Sequence, residues 1–328
     1  MEKKRKRTRW VIVLGAVTAV VLVAAIALRT PSPVGHWRSA EGHDAFMEAY
    51  EAAMAEMPRP DAETDVRTDY GVVRMYRFEG TGDAGGSRSP LVLLPGRASA
   101  SPVWADNLPT LLEVGDVYTV DLLGEPGLSV QARPIEDDED QAEWLHQALG
   151  GLPEEEFHVV GLSIGGWTAA NLATREPSRL ATVTLVEPVL VLDDMPLETV
   201  IRSLPASLPW LPKSWRDGFN SWTAGGAPVE DVPVADMIES GMQNYALRLP
   251  QPGRIGEDAL ADLDMPVLAV IAGESVMHDP DTAVATAERA LGHGTVEFYP
   301  DASHAVNGEY PEELAADITA FLSEAGRT

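Results

Sequence analysis

From Val66 onward, short apolar runs alternate with amphipathic stretches. Leu91-Val92-Leu93-Leu94 is apolar at every position, the pattern of a strand buried on both faces. Strand-like runs recur at 72–78, 117–120, 157–160, 180–186, 267–271 and 295–299. Between them, apolar residues return at helical spacing over 102–112, 139–149, 163–175, 282–291 and 311–322. Strands alternating with helices predict right-handed βαβ units, hence an α/β fold with a mainly parallel central sheet and helices on both faces.

Two regions depart from that rhythm. Residues 188–265 contain no clear strand, only proline-punctuated turns such as Leu208-Pro209-Trp210-Leu211-Pro212 and one helical pattern over 234–248. A structureless loop of that length is rare in a compact domain, so a small helical cap over the sheet is expected. Its aromatics, Trp210, Trp215, Phe219 and Trp222, are expected to pack. Upstream, residues 29–65 read as a tether plus one amphipathic helix, with Ala45, Phe46, Ala49, Tyr50, Ala53 and Met57 on one stripe. The α/β domain is expected over 66–328.

The N-terminus is of another kind. Residues 10–28 form an uncharged apolar run preceded by a basic tail over 1–9. At 1.5 Å per residue such a helix nearly spans a bilayer core of roughly 30 Å. Two outcomes fit: a transmembrane signal anchor with its N-terminus in the cytoplasm, or a signal peptide cleaved after Ala25-Ile26-Ala27. The length of the run favours the anchor. Either places residues 31–328 outside the cytoplasm, at the cell membrane or, after cleavage, secreted.

Charge narrows the partners. Seven of the 24 Lys+Arg and one of the 51 Asp+Glu precede residue 31, leaving 17 against 50, a balance of −33. Such a field repels phosphate backbones, so no nucleic-acid partner is expected. The chain has no cysteine, which excludes disulfides, thiolate catalysis and cysteine metal sites. No H-E-x-x-H or P-loop pattern occurs, and no metal or organic cofactor is implied.

The chemistry concentrates in Gly161-Leu162-Ser163-Ile164-Gly165, a G-x-S-x-G pattern between an apolar strand and a helix. That setting is the one a nucleophile elbow requires: a strained turn exposes the Ser hydroxyl at the carboxyl end of the sheet, with glycines where side chains would collide. A serine nucleophile needs a base. His304 follows the last strand and precedes the final helix, whereas His278 follows one strand too early. Two carboxylates compete to orient the base. Glu187 ends the strand after the nucleophile helix. Asp279 lies before Pro280, where it could equally cap a helix.

These features, with the strand order and the position of the cap, resemble the α/β-hydrolase family over roughly residues 66–325. Leu93-Leu94-Pro95-Gly96-Arg97 is similar to that family's oxyanion loop, with Pro95 where His is usual. The resemblance implies backbone N–H groups of Arg97 and Ile164 as the oxyanion pair. Asp121 to Ser129 resembles a structural segment of the family. Its usual acid position, after the penultimate strand, holds Val276. The resemblance implies a serine hydrolase acting on a carboxylic ester or similar small acyl substrate. An acyltransferase or perhydrolase with the same triad, and a non-catalytic hydrolase-like surface binding protein, remain as alternatives.

Overall fold

The structure, a computed structural model, describes residues 32–81, 89–204, 206 and 208–326. The basic tail and the apolar segment 10–28 lie outside the described residues. Among the described residues no helix is long and apolar enough to cross a membrane.

The strands are β1 His36–Trp37, β2 Ala62–Arg67, β3 Gly71–Phe78, β4 Leu91–Leu94, β5 Val117–Val120, β6 Val130–Gln131, β7 Phe157–Leu162, β8 Leu180–Val186, β9 Tyr245–Ala246, β10 Val267–Ala272 and β11 Gly294–Tyr299. Nine of them form one sheet in the order β11-β10-β8-β7-β4-β5-β3-β2, with β6 paired to β3. The ladder from β11 to β5 is parallel. β3 runs antiparallel to β5, β2 and β6. The sheet is therefore mixed, with a parallel centre and an antiparallel edge.

Every residue of β4, β5, β7 and β10 is buried, as central strands covered on both faces require. Alternate side chains of β4 serve opposite layers. Val92 and Leu94 join Trp144, Leu172 and Ala287 on one face. Leu91 and Leu93 join Phe46, Trp104 and Ile318 on the other. Each fully buried Leu or Phe contributes about 2 kcal/mol. The two layers explain why helices Asp138–Gly150, Ile164–Arg175 and Pro280–Ala290 lie opposite Ala40–Met54 and Pro311–Ala325.

The differences from the sequence reading have physical causes. Residues 62–67 pair with β3, so the boundary expected at 66 falls within a strand. Its polar, edge-facing residues gave no apolar run to detect. The helix expected over 102–112 is broken into a 3-10 turn, Ser101–Trp104, and Leu108–Leu111. Pro109 lacks the N–H that a continuous helix would need there. Helix Ala40–Met54, by contrast, packs on the domain through the apolar stripe expected of it: Phe46 is fully buried, and Tyr50 nearly so.

The cap contains helices Leu197–Ser203, Lys213–Thr223 and Pro233–Asn244. The last ends four residues earlier than expected because β9 follows at once and pairs antiparallel with β1. Two-residue strands carry no readable period. A buried Arg216–Glu239 ion pair at 2.6 Å joins two of the helices. Phe219 and Trp222 pack on each other, their ring centroids 6.2 Å apart. Trp210 and Trp215, expected to pack, are 75% and 55% exposed. No element among the described residues covers them.

Candidate active site

Ser163 stands between β7 and helix Ile164–Arg175 with φ +55°, a conformation rare for a residue with a Cβ. The tight turn depends on its glycines. A Cβ on Gly165 would press into the Leu94 carbonyl oxygen, and one on Gly161 into that of Gly165. The Ser163 N–H donates to Val186 O at 2.9 Å, tying the elbow to β8.

The elbow brings Ser163 Oγ to 2.9 Å from His304 Nε2. His304 lies in the loop after β11, which Glu309 pins by accepting from Ser303 N–H at 2.7 Å and Ser303 Oγ at 2.6 Å. On the far side of the ring, His304 Nδ1 is 3.0 Å from Glu187 Oε2. Glu187 follows β8 with φ +46° and is fully buried. Its Oε1 accepts from Ala272 N–H at 2.7 Å, and its Oε2 from Ser275 Oγ at 2.6 Å. Burial acts to raise its pKa. The two imidazoles beside it, His278 and His304, outweigh that and hold it below the usual carboxylate range.

Asp279, the other carboxylate considered, is not brought to His304. It caps helix Pro280–Ala290, accepting from Thr282 N–H at 2.9 Å, and is exposed. The helix-cap bonds lower its pKa. The carbonyl of Val276, which stands at the family's usual acid position, accepts from Thr199 Oγ and so anchors a cap helix.

The Gly96-Arg97 loop faces the elbow: a Cβ at Gly96 would lie 3.8 Å from Ser163 Cβ. Glu125, almost fully buried, holds this loop from below. Its Oε1 pairs with Arg97 Nη1 at 2.7 Å, and its Oε2 accepts from Ala98 N–H at 3.2 Å. Burial nonetheless raises the Glu125 pKa, with Arg97 opposing. Ser99 Oγ adds a bond to Gly96 O at 2.8 Å. These restraints do not involve Pro95. Ile164 N–H heads its helix and so has no intrahelical acceptor.

Asp121 anchors the neighbouring segment. It is fully buried and accepts from Ser101 N–H at 3.0 Å, Ser101 Oγ at 2.8 Å, Leu128 N–H at 2.8 Å and Tyr50 OH at 3.0 Å. Glu125, Ser275, Glu309 and the contact of His278 with Glu187 were not legible in the chain. Each acts across a turn or between distant segments and leaves no local spacing. The spacing Gly80-x-Gly82-x-x-Gly85 does occur after β3. The next described element is strand β4 rather than a helix, which is not the setting of a dinucleotide fingerprint.

Residues 91–317 match the model of the alpha/beta hydrolase family. Among curated proteins, the chain is 22% identical over 288 residues to carboxylesterase YbfK of Bacillus subtilis (strain 168), covering 84% of this chain and 93% of that one. It is 23% identical over 241 residues to the uncharacterized carboxylesterase nap of the same organism, covering 71% and 79%. The crystal structure of carboxylesterase CesB (YbfK) from Bacillus subtilis superposes with a TM-score of 0.77 at 21% identity, over 86% of this chain and 99% of that one. With the family model matched over most of its length and that fold reproduced, the chain belongs to the alpha/beta hydrolase family.

Proposed function

We propose that this protein is a serine hydrolase that cleaves small carboxylic esters through an acyl-enzyme on Ser163. The observation that carries the reading is the continuous Ser163 Oγ–His304–Glu187 chain, with both links at about hydrogen-bond length. The likeness to carboxylesterases supports the ester as substrate class.

In this reading His304 Nε2 takes the Ser163 Oγ proton as Oγ bonds to the ester carbonyl carbon. The carbonyl oxygen becomes an oxyanion, held by the N–H groups of Arg97 and Ile164. Glu187 fixes the His304 tautomer and stabilises the imidazolium. The C–O bond to the alcohol then breaks, and His304 returns the proton to the departing oxygen. Water, activated by the same imidazole, releases the acid and restores Ser163. A binding protein has no use for this arrangement, and no observation favours acyl transfer over hydrolysis.

The second part of the proposal is location. Residues 10–28 are taken as a signal anchor and the α/β domain as extracytoplasmic, supported by the apolar run and its basic flank. Full-length protein is then expected to stay with membranes after a carbonate wash. A secreted form beginning near Leu28 would overturn the anchor in favour of cleavage.

The activity is tested by turnover of a p-nitrophenyl ester by the wild type and by Ser163→Ala. Loss of nearly all turnover in the variant at unchanged Tm is expected. Equal turnover would remove Ser163 from the reaction.

A further inference from the structure

Two imidazoles contact Glu187, and the mechanism above uses one. His278 is almost fully buried, and its Nε2 lies 3.1 Å from Glu187 Oε1. The contact is short but poorly aligned, and among the described residues neither ring nitrogen completes a hydrogen bond. A histidine buried only for packing has no reason to direct its polar edge at a buried carboxylate, and leaving its nitrogens unpaired is costly. The acceptor that the structure places beside it is the acid that orients His304.

We infer that His278 is a positioning residue for the hydrolytic site: its Nε2–H holds Oε1 of Glu187, so that Oε2 stays aimed at His304. The inference rests on the Ser163–His304–Glu187 reading. It follows from how the carboxylate is held. Oε2 receives Ser275 Oγ and His304 Nδ1, while Oε1 receives Ala272 N–H and faces His278. The terminal torsion of a Glu is soft, so a carboxylate held on both oxygens points more sharply than one held mainly on one side. Ala272 N–H belongs to β10, fixed by the ladder, and Ser275 and His278 belong to the turn beyond it. His278 thereby makes the β10 turn a second support for an acid carried by β8.

The second consequence is electrostatic. A donor on Oε1 draws charge from Oε2 and weakens the hold of Glu187 on a protonated His304. Losing the donor makes the imidazolium easier to keep. The titratable groups around His278 are Glu187 at the end of β8, Asp279 beside it, Asp193 (which accepts from Asp279 N–H at 3.1 Å) and His304 beyond the carboxylate. All except His304 are acidic, so His278→Phe removes the side-chain donor that faces Oε1 and leaves that oxygen to Ala272 N–H.

The test compares His278→Phe, His278→Asn and His278→Gln in the full-length protein, with Glu187→Gln alongside. The amide N–H of Gln reaches about where the imidazole Nε2 stands, and that of Asn falls short. His278→Phe and His278→Asn are expected to lower kcat by about 10- to 100-fold, the range of one hydrogen bond to a charged group, with KM within about twofold. The acid limb of the kcat/KM profile should move to higher pH. His278→Gln should recover most of kcat and return the limb. Rates are taken per site titrated by a fluorophosphonate, so partial misfolding does not enter. If the Phe variant fails to fold, Gln against Asn decides. Equal kcat in Gln and Asn, or an unmoved acid limb in Asn, overturns the inference. If Glu187→Gln loses rate while His278→Asn does not, only the role of His278 falls. If Glu187→Gln retains full rate, the triad reading falls with it.

Discussion

Replacing Glu187 by Gln removes one charge and keeps the shape. The carboxylate is 3.0 Å from His304 Nδ1 and fully buried. A unit charge pair at that separation is worth about 5 kcal/mol at an effective dielectric constant near 20. That corresponds to between about three and four orders of magnitude in rate if the imidazolium exists only in the transition state. The amide dipole returns part of this. Its NH2 group, however, competes for the face now occupied by Ser275 Oγ and His304 Nδ1. Two donors cannot meet there, so either the amide flips away or His304 adopts the tautomer that donates to Ser163 instead of accepting from it. Glu187→Gln is expected to lower kcat on a p-nitrophenyl ester by about 1000-fold, and by no less than about 100-fold. KM should change little. The measurement is steady-state kinetics with a melting curve on the same sample. A kcat within tenfold of wild type at unchanged Tm would refute the assignment of Glu187.

Asp279→Ala should do the reverse, lowering stability by about 1 kcal/mol through loss of the helix cap while kcat stays within about twofold; a large kcat loss would return Asp279 to the site. Gly165→Ala forces a methyl group into the Leu94 carbonyl and should cost more than about 3 kcal/mol, read as a collapse of Tm or loss of soluble protein. His158, buried on β7 with Nδ1 2.9 Å from Thr182 Oγ1, is pushed down by burial to about 4. Between pH 6.5 and 4 the unfolded chain therefore binds a proton that the folded chain does not. Its contribution is complete above the unfolded value and is lost as pH falls across that window, up to about 3 kcal/mol. Denaturant titrations at pH 7 and pH 4.5 should show a smaller drop for His158→Gln than for wild type; equal drops would contradict this.

The parallel centre of the sheet was legible because burial on both faces leaves an unbroken apolar signature, as in β4. The elbow was legible because the close approaches around Ser163, within the turn at Gly161 and against β4 at Gly165, demand glycines at fixed spacing. The antiparallel edge strand β2 was not, because its residues, Ala62 to Arg67, are mostly polar and owe their conformation to pairing with β3. In the site, Ser163 and His304 could be located from the order of elements. The choice between Glu187 and Asp279 could not, since both follow parallel strands before His304. What separates them is direction. Glu187 leaves β8 with positive φ and turns its carboxylate under the His304 ring, and Asp279 turns toward its own helix. A backbone torsion of this kind has no signature in residue type. Glu125 and Glu309 were missed for a related reason: each braces a loop from another segment, or across a turn, and appears in the chain as one more acidic residue.

The central claim is that Ser163 is a nucleophile activated by His304. The most direct measurement is mass-spectrometric mapping of the protein after exposure to a fluorophosphonate. The account predicts one adduct, on the peptide containing Ser163, formed rapidly in wild type, absent in Ser163→Ala and slowed by about three orders of magnitude or more in His304→Ala. Labelling of Ser163→Ala at the wild-type rate, or equal labelling of Ser163 with and without His304, would contradict it.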